Sequence, residues 1–410
     1  MKRANPGKLL ALIVLLEMSA FGLLSLRDET FDPEALLAGG ILLALLIGSY
    51  WILTKAFRYL DRHLLIIADV LISIGMIVQY RINPDIAFKQ MVALGLGIAA
   101  MAVLMLLLNE IDRWKSTKMS WVYMIGSVLF LLVPLAIGSE QYGAKNWIDL
   151  GFFSLQPGEF VKIALVMVLA IYLSERQRIS QLLVPGVFLL ALMAVLVLER
   201  DLGAALIYAG TAVVLYYCAT GNLLVTAAGL GAGAGAAVIC YRLFAHVRVR
   251  VNAWRNPWAT YYDQGYQIAQ GLMAIASGGL FGLGLTLGVP KVIPAYHTDY
   301  IFAVICEEMG IIVGLCVVAL YVLFALRGIS IALKCTDRFS ALVAIGCTTL
   351  IVLQSFIILG GVIKLIPLTG VTLPFVSYGG SSMMSSLLVL GLLESVAVQN
   401  GRRAGKGGTG

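Results

Sequence analysis

Asp299 is the residue in this chain best placed to do chemistry. It lies in Ile293-Pro294-Ala295-Tyr296-His297-Thr298-Asp299-Tyr300-Ile301-Phe302, where a proline-containing turn delivers a carboxylate to the start of an apolar run. A carboxylate at that point is favoured by the helix dipole and can serve merely as an N-terminal cap. It can also act as a general base toward a hydroxyl nucleophile. The preceding segment weighs toward chemistry, because it opens His246-Val-Arg248-Val-Arg250-Val-Asn-Ala-Trp254-Arg255. Guanidinium groups match phosphate oxygens in geometry and charge, so a base and a phosphate shelf would be neighbours.

Glu159 and Lys162 are the second feature. At spacing i, i+3 they share one helix face and can pair, following Gln156-Pro157-Gly158, where Pro157 suits a first helical turn. Two readings stand: a buried structural ion pair, or the charged wall of a cavity. Glu17, Asp69, Glu307, Glu308 and Glu394 also fall in apolar runs, where ionisable groups are costly and usually mark function. Glu17 has no partner legible in the sequence and receives no role. His63, His246 and His297 are too far apart to write a local metal site. The six cysteines form no CxxC pair and read as small apolar packing residues.

The elements that must position these residues are membrane helices. Of 410 residues, 60% are hydrophobic and 12% charged, whereas a soluble domain carries roughly 25% charged residues. A single core stops growing near ~250–300 residues, so the surplus apolar surface must face lipid. A window of about 19 residues finds apolar runs at 9–26, 34–54, 64–80, 90–108, 120–138, 159–174, 181–198, 202–219, 222–244, 300–326, 339–361 and 378–398. Twelve spans put both termini on one side.

Lysine and arginine orient them. Lys2, Arg3, Lys8, Lys55, Arg58, Arg62, Arg113, Lys115, Lys118, Arg176, Arg178, Arg327, Lys334, Arg338, Arg402, Arg403 and Lys406 gather on the N-terminal side, and they are the majority of the 29 basic residues. That side is therefore expected to be cytoplasmic. Met1-Lys2-Arg3 precedes an apolar run with no small-residue cleavage pattern, so the first helix is expected to stay uncleaved. The net charge of +7 follows from this bias, and no soluble basic domain exists to bind nucleic acid. Residues 245–298 form the one long loop, on the outer face, either a solvated loop with interfacial aromatics or a shelf for an anionic headgroup. Gly-Ala-Gly-Ala-Gly at 231–235 has no following Gly-Lys-Ser/Thr and reads as close helix approach. The glycines at 278–284 supply compact irregular backbone.

Several blocks together resemble the SEDS family (shape, elongation, division and sporulation proteins, RodA/FtsW/SpoVE-like) over residues 61–400. They are Gly143-Ala144-Lys145-Asn146-Trp147-Ile148, Gln156-Pro157-Gly158-Glu159-Phe160-Val161-Lys162, Asp201-Leu202-Gly203, Gly265-Tyr266-Gln267, His297-Thr298-Asp299-Tyr300 with Glu307-Glu308-Met309-Gly310, and Pro367-Leu368-Thr369-Gly370 running to Ser377-Tyr378-Gly379-Gly380-Ser381-Ser382. The resemblance implies an all-α polytopic membrane protein. Residues 61–400 would be a ten-helix core, 1–60 two added N-terminal transmembrane helices, and 401–410 a cytoplasmic tail. It implies an inverting peptidoglycan glycosyltransferase that polymerises lipid II at the outer face of the bacterial cytoplasmic membrane. Asp299 would be catalytic. The substrate-binding set would be Glu159, Lys162, Lys145, Trp147, Gln156, Lys89, Asp201, Arg248, Arg250, Tyr266, Gln267, His297 and Ser377. This chain departs from the family's usual pattern at Gly158, at Glu199-Arg200 and at Ala295, where the family commonly has a glutamate.

The expected mechanism is a single displacement, with Asp299 drawing the proton from a sugar 4-hydroxyl and basic residues stabilising the leaving undecaprenyl pyrophosphate. The resemblance implies a divalent cation, Mg or Mn, on the pyrophosphate, with no ligand set legible in the sequence, and no organic cofactor. It implies a class B penicillin-binding protein, a transpeptidase, as partner. A lipid II flippase and a non-catalytic scaffold for a cell-wall synthase are the alternatives.

Overall fold

The computed structural model describes residues 5–26, 31–108, 110–141, 144–149, 151, 154–175 and 183–407. Lys2, Arg3, Arg176 and Arg178, which help orient the chain, and Gly143 lie outside them. The helices are α1 Pro6–Ser25, α2 Pro33–Ala56, α3 Arg62–Ile82, α4 Pro84–Leu107 and α5 Thr117–Ile137. Three strands follow, β1 Ser139–Gln141, β2 Ala144–Asp149 and β3 Ser154–Leu155. Then come α6 Pro157–Ser174, α7 Leu183–Leu198, α8 Leu202–Thr220 and α9 Leu223–Leu243. The remainder is α10 Ala245–Arg255, α11 Tyr266–Gly278, α12 Ile301–Leu333, α13 Arg338–Val362 and α14 Gly380–Gly407.

Eleven of these described helices are long and apolar enough to cross a membrane, and α7 adds a shorter apolar helix of 16 residues. They coincide with the twelve expected runs. Side chains of Asn5, Asp32, Asp61, Ser116, Asp201 and Asn222 accept first-turn N–H groups at helix starts. Pro6, Pro33 and Pro157 occupy first-turn positions that need no N–H partner. These caps reduce the number of unpaired backbone groups at helix ends, which a hydrocarbon solvent penalises. Leu12, Leu129, Leu190 and Leu224 stay exposed, as lipid-facing residues should. The tail expected at 401–410 is, through Gly407, a continuation of α14.

The described residues divide into two compact units. The first is drawn from Met1–Ile98, His246–Phe324 and Ser355–Gly379. In it α1 packs on α2 and α3. The Ser73 hydroxyl donates to Glu17 Oε1 at 2.5 Å, which ties α1 to α3 through the glutamate that lacked a partner in the sequence. The expected long loop is largely ordered: α10, α11 and a 3-10 turn at Pro290–Val292 replace much of it.

Within the same unit, α12 breaks at Gly310, whose φ of 86° and ψ of 165° leave the helical region. The broken ladder is completed by the glycine-rich segment after α11. Leu283 and Gly284 donate N–H groups to the Glu307 and Glu308 carbonyls at 2.9 and 3.0 Å, and Ile311 N–H reaches the Gly279 carbonyl at 3.0 Å. A side chain at Gly282, φ +85°, would collide with the Glu308 carbonyl. Gly282→Ala is therefore expected to cost about 1–3 kcal/mol. A clear fall in thermal midpoint of the purified protein checks this, and an unchanged midpoint contradicts it.

The second unit is drawn from Ala99–Ala245, Ala325–Gln354 and Gly380–Gly410. Here α6 packs on α5, α8 and α14, and α7 on α5 and α8. The small antiparallel sheet β1-β2-β3 pairs Ser139 with Trp147 and Ile148 with Leu155. These two- to six-residue strands lie below the reach of a periodicity reading. The turn from α7 to α8 closes with Asp201 N–H on the Leu196 carbonyl and Arg200 N–H on the Val197 carbonyl, Arg200 taking the left-handed φ of 62°. That is a common helix ending, usually made by glycine, and it brings Asp201 to cap α8.

Candidate active site

In the first unit Asp299 sits in a turn built on the Ala295 carbonyl, which accepts from Thr298 and Tyr300 N–H at 3.2 Å each. The first turn of α12 closes on the Tyr300 carbonyl. Among the described residues none of its N–H groups donates to Asp299, so the carboxylate is not spent as a cap. Ser377 buttresses the turn: its hydroxyl donates to the Thr298 carbonyl at 2.6 Å and accepts Leu373 N–H at 2.9 Å. Tyr378 N–H holds the His297 carbonyl at 3.0 Å, and Gln267 Nε2 donates to the Pro294 carbonyl at 3.2 Å.

Arg250 Nη1 donates to the Thr369 carbonyl at 2.9 Å. A first side-chain carbon at Gly370 would lie 3.7 Å from Asp299 Oδ2 and 3.8 Å from Arg250 Nη2, so the carboxylate and guanidinium flank one small gap. Burial pushes the Asp299 carboxyl up to about 6, with Arg250 and the Thr298 hydroxyl pulling it back. His297 is lowered by burial, its ring packed near Tyr296 and Tyr378. Tyr266 packs its ring on Tyr261. Arg248 and Lys89 lie exposed; beside Lys89, buried Gln90 donates to the Ser377 carbonyl. Of the expected residues in this unit, Asp299, Arg250, His297, Ser377 and Gln267 thus share one constellation.

A base must be ionised to accept a proton. With Asp299 in that role, turnover would rise as pH passes through about 6 and level off above 7. A rate flat from pH 5 to 8 would remove Asp299 as the titrating group.

The second unit holds the other set. Lys162 Nζ stands 2.5 Å from Glu159 Oε2 and donates to Gln354 Oε1 at 3.0 Å, while the Ser385 hydroxyl donates to the same Glu159 oxygen at 2.6 Å. Lys162 is 2% exposed, so the pair is a buried, hydrogen-bonded network. Asp201 Oδ2 accepts from Asn146 Nδ2 at 2.7 Å and Gln156 Nε2 at 2.9 Å. Burial raises the Asp201 carboxyl, and the N–H of Ala204 with the two amides opposes that. Lys145 Nζ donates to the Leu135 carbonyl at the end of α5, and its backbone N–H to the Glu199 carbonyl. Trp147, half-buried on β2, lies next to Asn146.

Sequence reading missed Gln354, Ser385 and Arg81, and noted Glu199 only as a departure. Glu199 is 1% exposed, and burial, with Asp201 adding, pushes its carboxyl up to about 8. The available signal was a polar residue inside an apolar run. For Arg81 it was a cation in the last turn of α3, away from the Lys/Arg-rich side that the charge bias marks.

The fold and site define a multi-pass membrane protein with a half-buried carboxylate beside a guanidinium at the start of a spanning helix. The chain belongs to the FtsW/RodA/SpoVE family of cell cycle proteins, whose pattern it matches over residues 55–402. It is 32% identical to "Peptidoglycan glycosyltransferase RodA" of Mycobacterium tuberculosis over 95% of this chain and 89% of that one. It is 34% identical to "Stage V sporulation protein E" of Bacillus subtilis over 82% and 96%. Among solved structures, a chain from "Structural coordination of polymerization and crosslinking by a peptidoglycan synthase complex" superposes with a TM-score of 0.70 at 27% identity, covering 83% of this chain and 98% of that one. The RodA crystal structure from Thermus thermophilus gives 0.59 at 27%, covering 82% and 96%.

Proposed function

We propose that this protein, a peptidoglycan glycosyltransferase of the bacterial membrane, polymerises lipid II with Asp299 as general base. The observation that carries the reading is the Asp299–Arg250 juxtaposition around Gly370. A carboxyl near 6 is ionised at neutral pH yet basic enough to draw a proton from a sugar hydroxyl. Arg250 can pair with a phosphate oxygen and stabilise the departing pyrophosphate as its charge grows. Glu159 with Lys162, and Gln156 with Asp201, are two further polar clusters assigned to substrate binding, and Lys145, Trp147, Tyr266, Gln267, His297, Ser377, Arg248 and Lys89 complete the proposed binding set.

A divalent cation, Mg or Mn, would ride on the substrate pyrophosphate. Among the described residues no group of three His, Cys, Asp or Glu side chains could hold a metal, so they build no complete ligand set of their own. The distribution of basic residues supports cytoplasmic termini, which puts Asp299 on the outer side. A class B penicillin-binding protein is the proposed partner, supported by the structural likeness to a chain from a peptidoglycan synthase complex. The test is glycan-strand formation from lipid II by the purified chain, with and without that transpeptidase. Strands from the chain alone place catalysis here; lipid II translocation without strands would favour a flippase, and activity only from the partner would favour a scaffold.

A further inference from the structure

We infer that residues 279–289 form a shallow re-entrant segment in the outer leaflet, and that Arg81 is the positioning residue that anchors it beneath the Asp299 turn. The position of Asp299 in catalysis rests on the reading above; the re-entrant segment does not.

The backbone contacts set the depth. Segment 279–284 bonds to α12 at residues 307–312, about two turns or more below the helix start at Ile301. Gly310 lies 17 residues, or about 25 Å of helix, from Arg327, which the charge bias sets near the cytoplasmic boundary. A hydrocarbon core of ~30 Å therefore reaches past Gly310. Irregular backbone at that depth persists only where every polar group finds a protein partner.

Buried side chains supply several of those partners. Arg81 Nη2 donates to the Thr286 and Gly288 carbonyls at 2.9 and 2.8 Å, and Arg81 Nε lies 2.6 Å from Glu308 Oε1. Glu308 Oε2 accepts Thr286 N–H, and Glu307 Oε1 accepts Val289 N–H. The side chains of Arg81 and Glu308 are 8% and 0% exposed. The outward side chains of the segment are apolar: Leu280, Phe281 and Leu287 are 62%, 82% and 68% exposed. They suit hydrocarbon, and water would leave them as an uncompensated patch.

The anchor also bears on catalysis. The segment runs through the Pro290–Val292 turn into Ala295 and Asp299, and α12 carries Glu307 and Glu308 two turns beyond Asp299. Arg81 thus closes a ring of chain whose seam is the catalytic turn. Displacement of a reacting group by about 1 Å can cost ~10²-fold in rate.

The test uses the full chain with its native cysteines replaced, reconstituted in liposomes. Phe281→Cys should resist a charged, membrane-impermeant maleimide, whereas Tyr262→Cys, at a position 98% exposed, should react quickly. Equal reactivity overturns the re-entrant segment, whatever becomes of any Arg81 variant. Adding Arg81→Met should make the introduced thiol at position 281 reactive and lower kcat for polymerisation at least about tenfold with little change in KM; Arg81→Lys should restore part of both. Unchanged labelling and kcat in Arg81→Met overturn the anchor. Asp299→Asn should leave labelling at position 281 untouched, so a failure of Asp299 as base is distinguishable from a failure of this inference.

Discussion

Asp299→Asn is expected to lower lipid II polymerisation by ~10²–10⁴-fold, the usual contribution of a positioned base. The folded protein should survive the change. Burial raises the Asp299 carboxyl from its ordinary value to about 6, so its charged form is disfavoured in the folded state. The sign follows from linkage: the folded protein holds this proton more tightly, and stability falls as pH rises from about 4 through 6. A neutral amide at 299 removes that penalty, so the variant's thermal midpoint at pH 7 should equal or exceed the parent's. Normal strands from a well-folded Asp299→Asn protein would remove Asp299 as the base.

Lys162→Met should lower stability as well as polymerisation. Its ammonium is shared by Glu159 and Gln354, and its loss leaves the largely enclosed Glu159 with only the Ser385 hydroxyl facing the same oxygen. Breaking such a buried pair from one side costs about 3–5 kcal/mol, whereas neutralising both members is often tolerated. Lys162→Met/Glu159→Gln should therefore recover most of the lost thermal stability. Recovery of stability without recovery of polymerisation assigns the charges to substrate as well; recovery of both makes the pair structural. A single Lys162→Met variant as stable as the parent contradicts the buried network.

Much of the site was legible as residue types, less as contacts. Asp299 stood out because a carboxylate followed a basic, aromatic stretch, and the structure sets it beside Arg250. Arg248, two residues away on the same short helix, carried an identical signal. Residues two apart point to different helix faces, so the two arginines cannot both turn toward the carboxylate. Ser377 was named from a motif; its work, holding the Thr298 carbonyl, depends on a contact across 79 residues of sequence. Gln354 and Ser385 went unnamed because their partners Lys162 and Glu159 lie 192 and 226 residues away.

The amino-acid order by itself determined the twelve spans and the charge asymmetry, since these follow from local hydropathy and loop composition. Only the tertiary structure decided what the long segment before Asp299 becomes. Composition marks 279–289 as glycine-rich and irregular, and irregular normally means solvated. The break of α12 at Gly310 leaves backbone groups that this segment bonds, while Arg81 and the Glu308 side chain bond backbone groups of the segment itself. That outcome depends on hydrogen-bond partners supplied from three distant stretches of chain, which no local pattern can record.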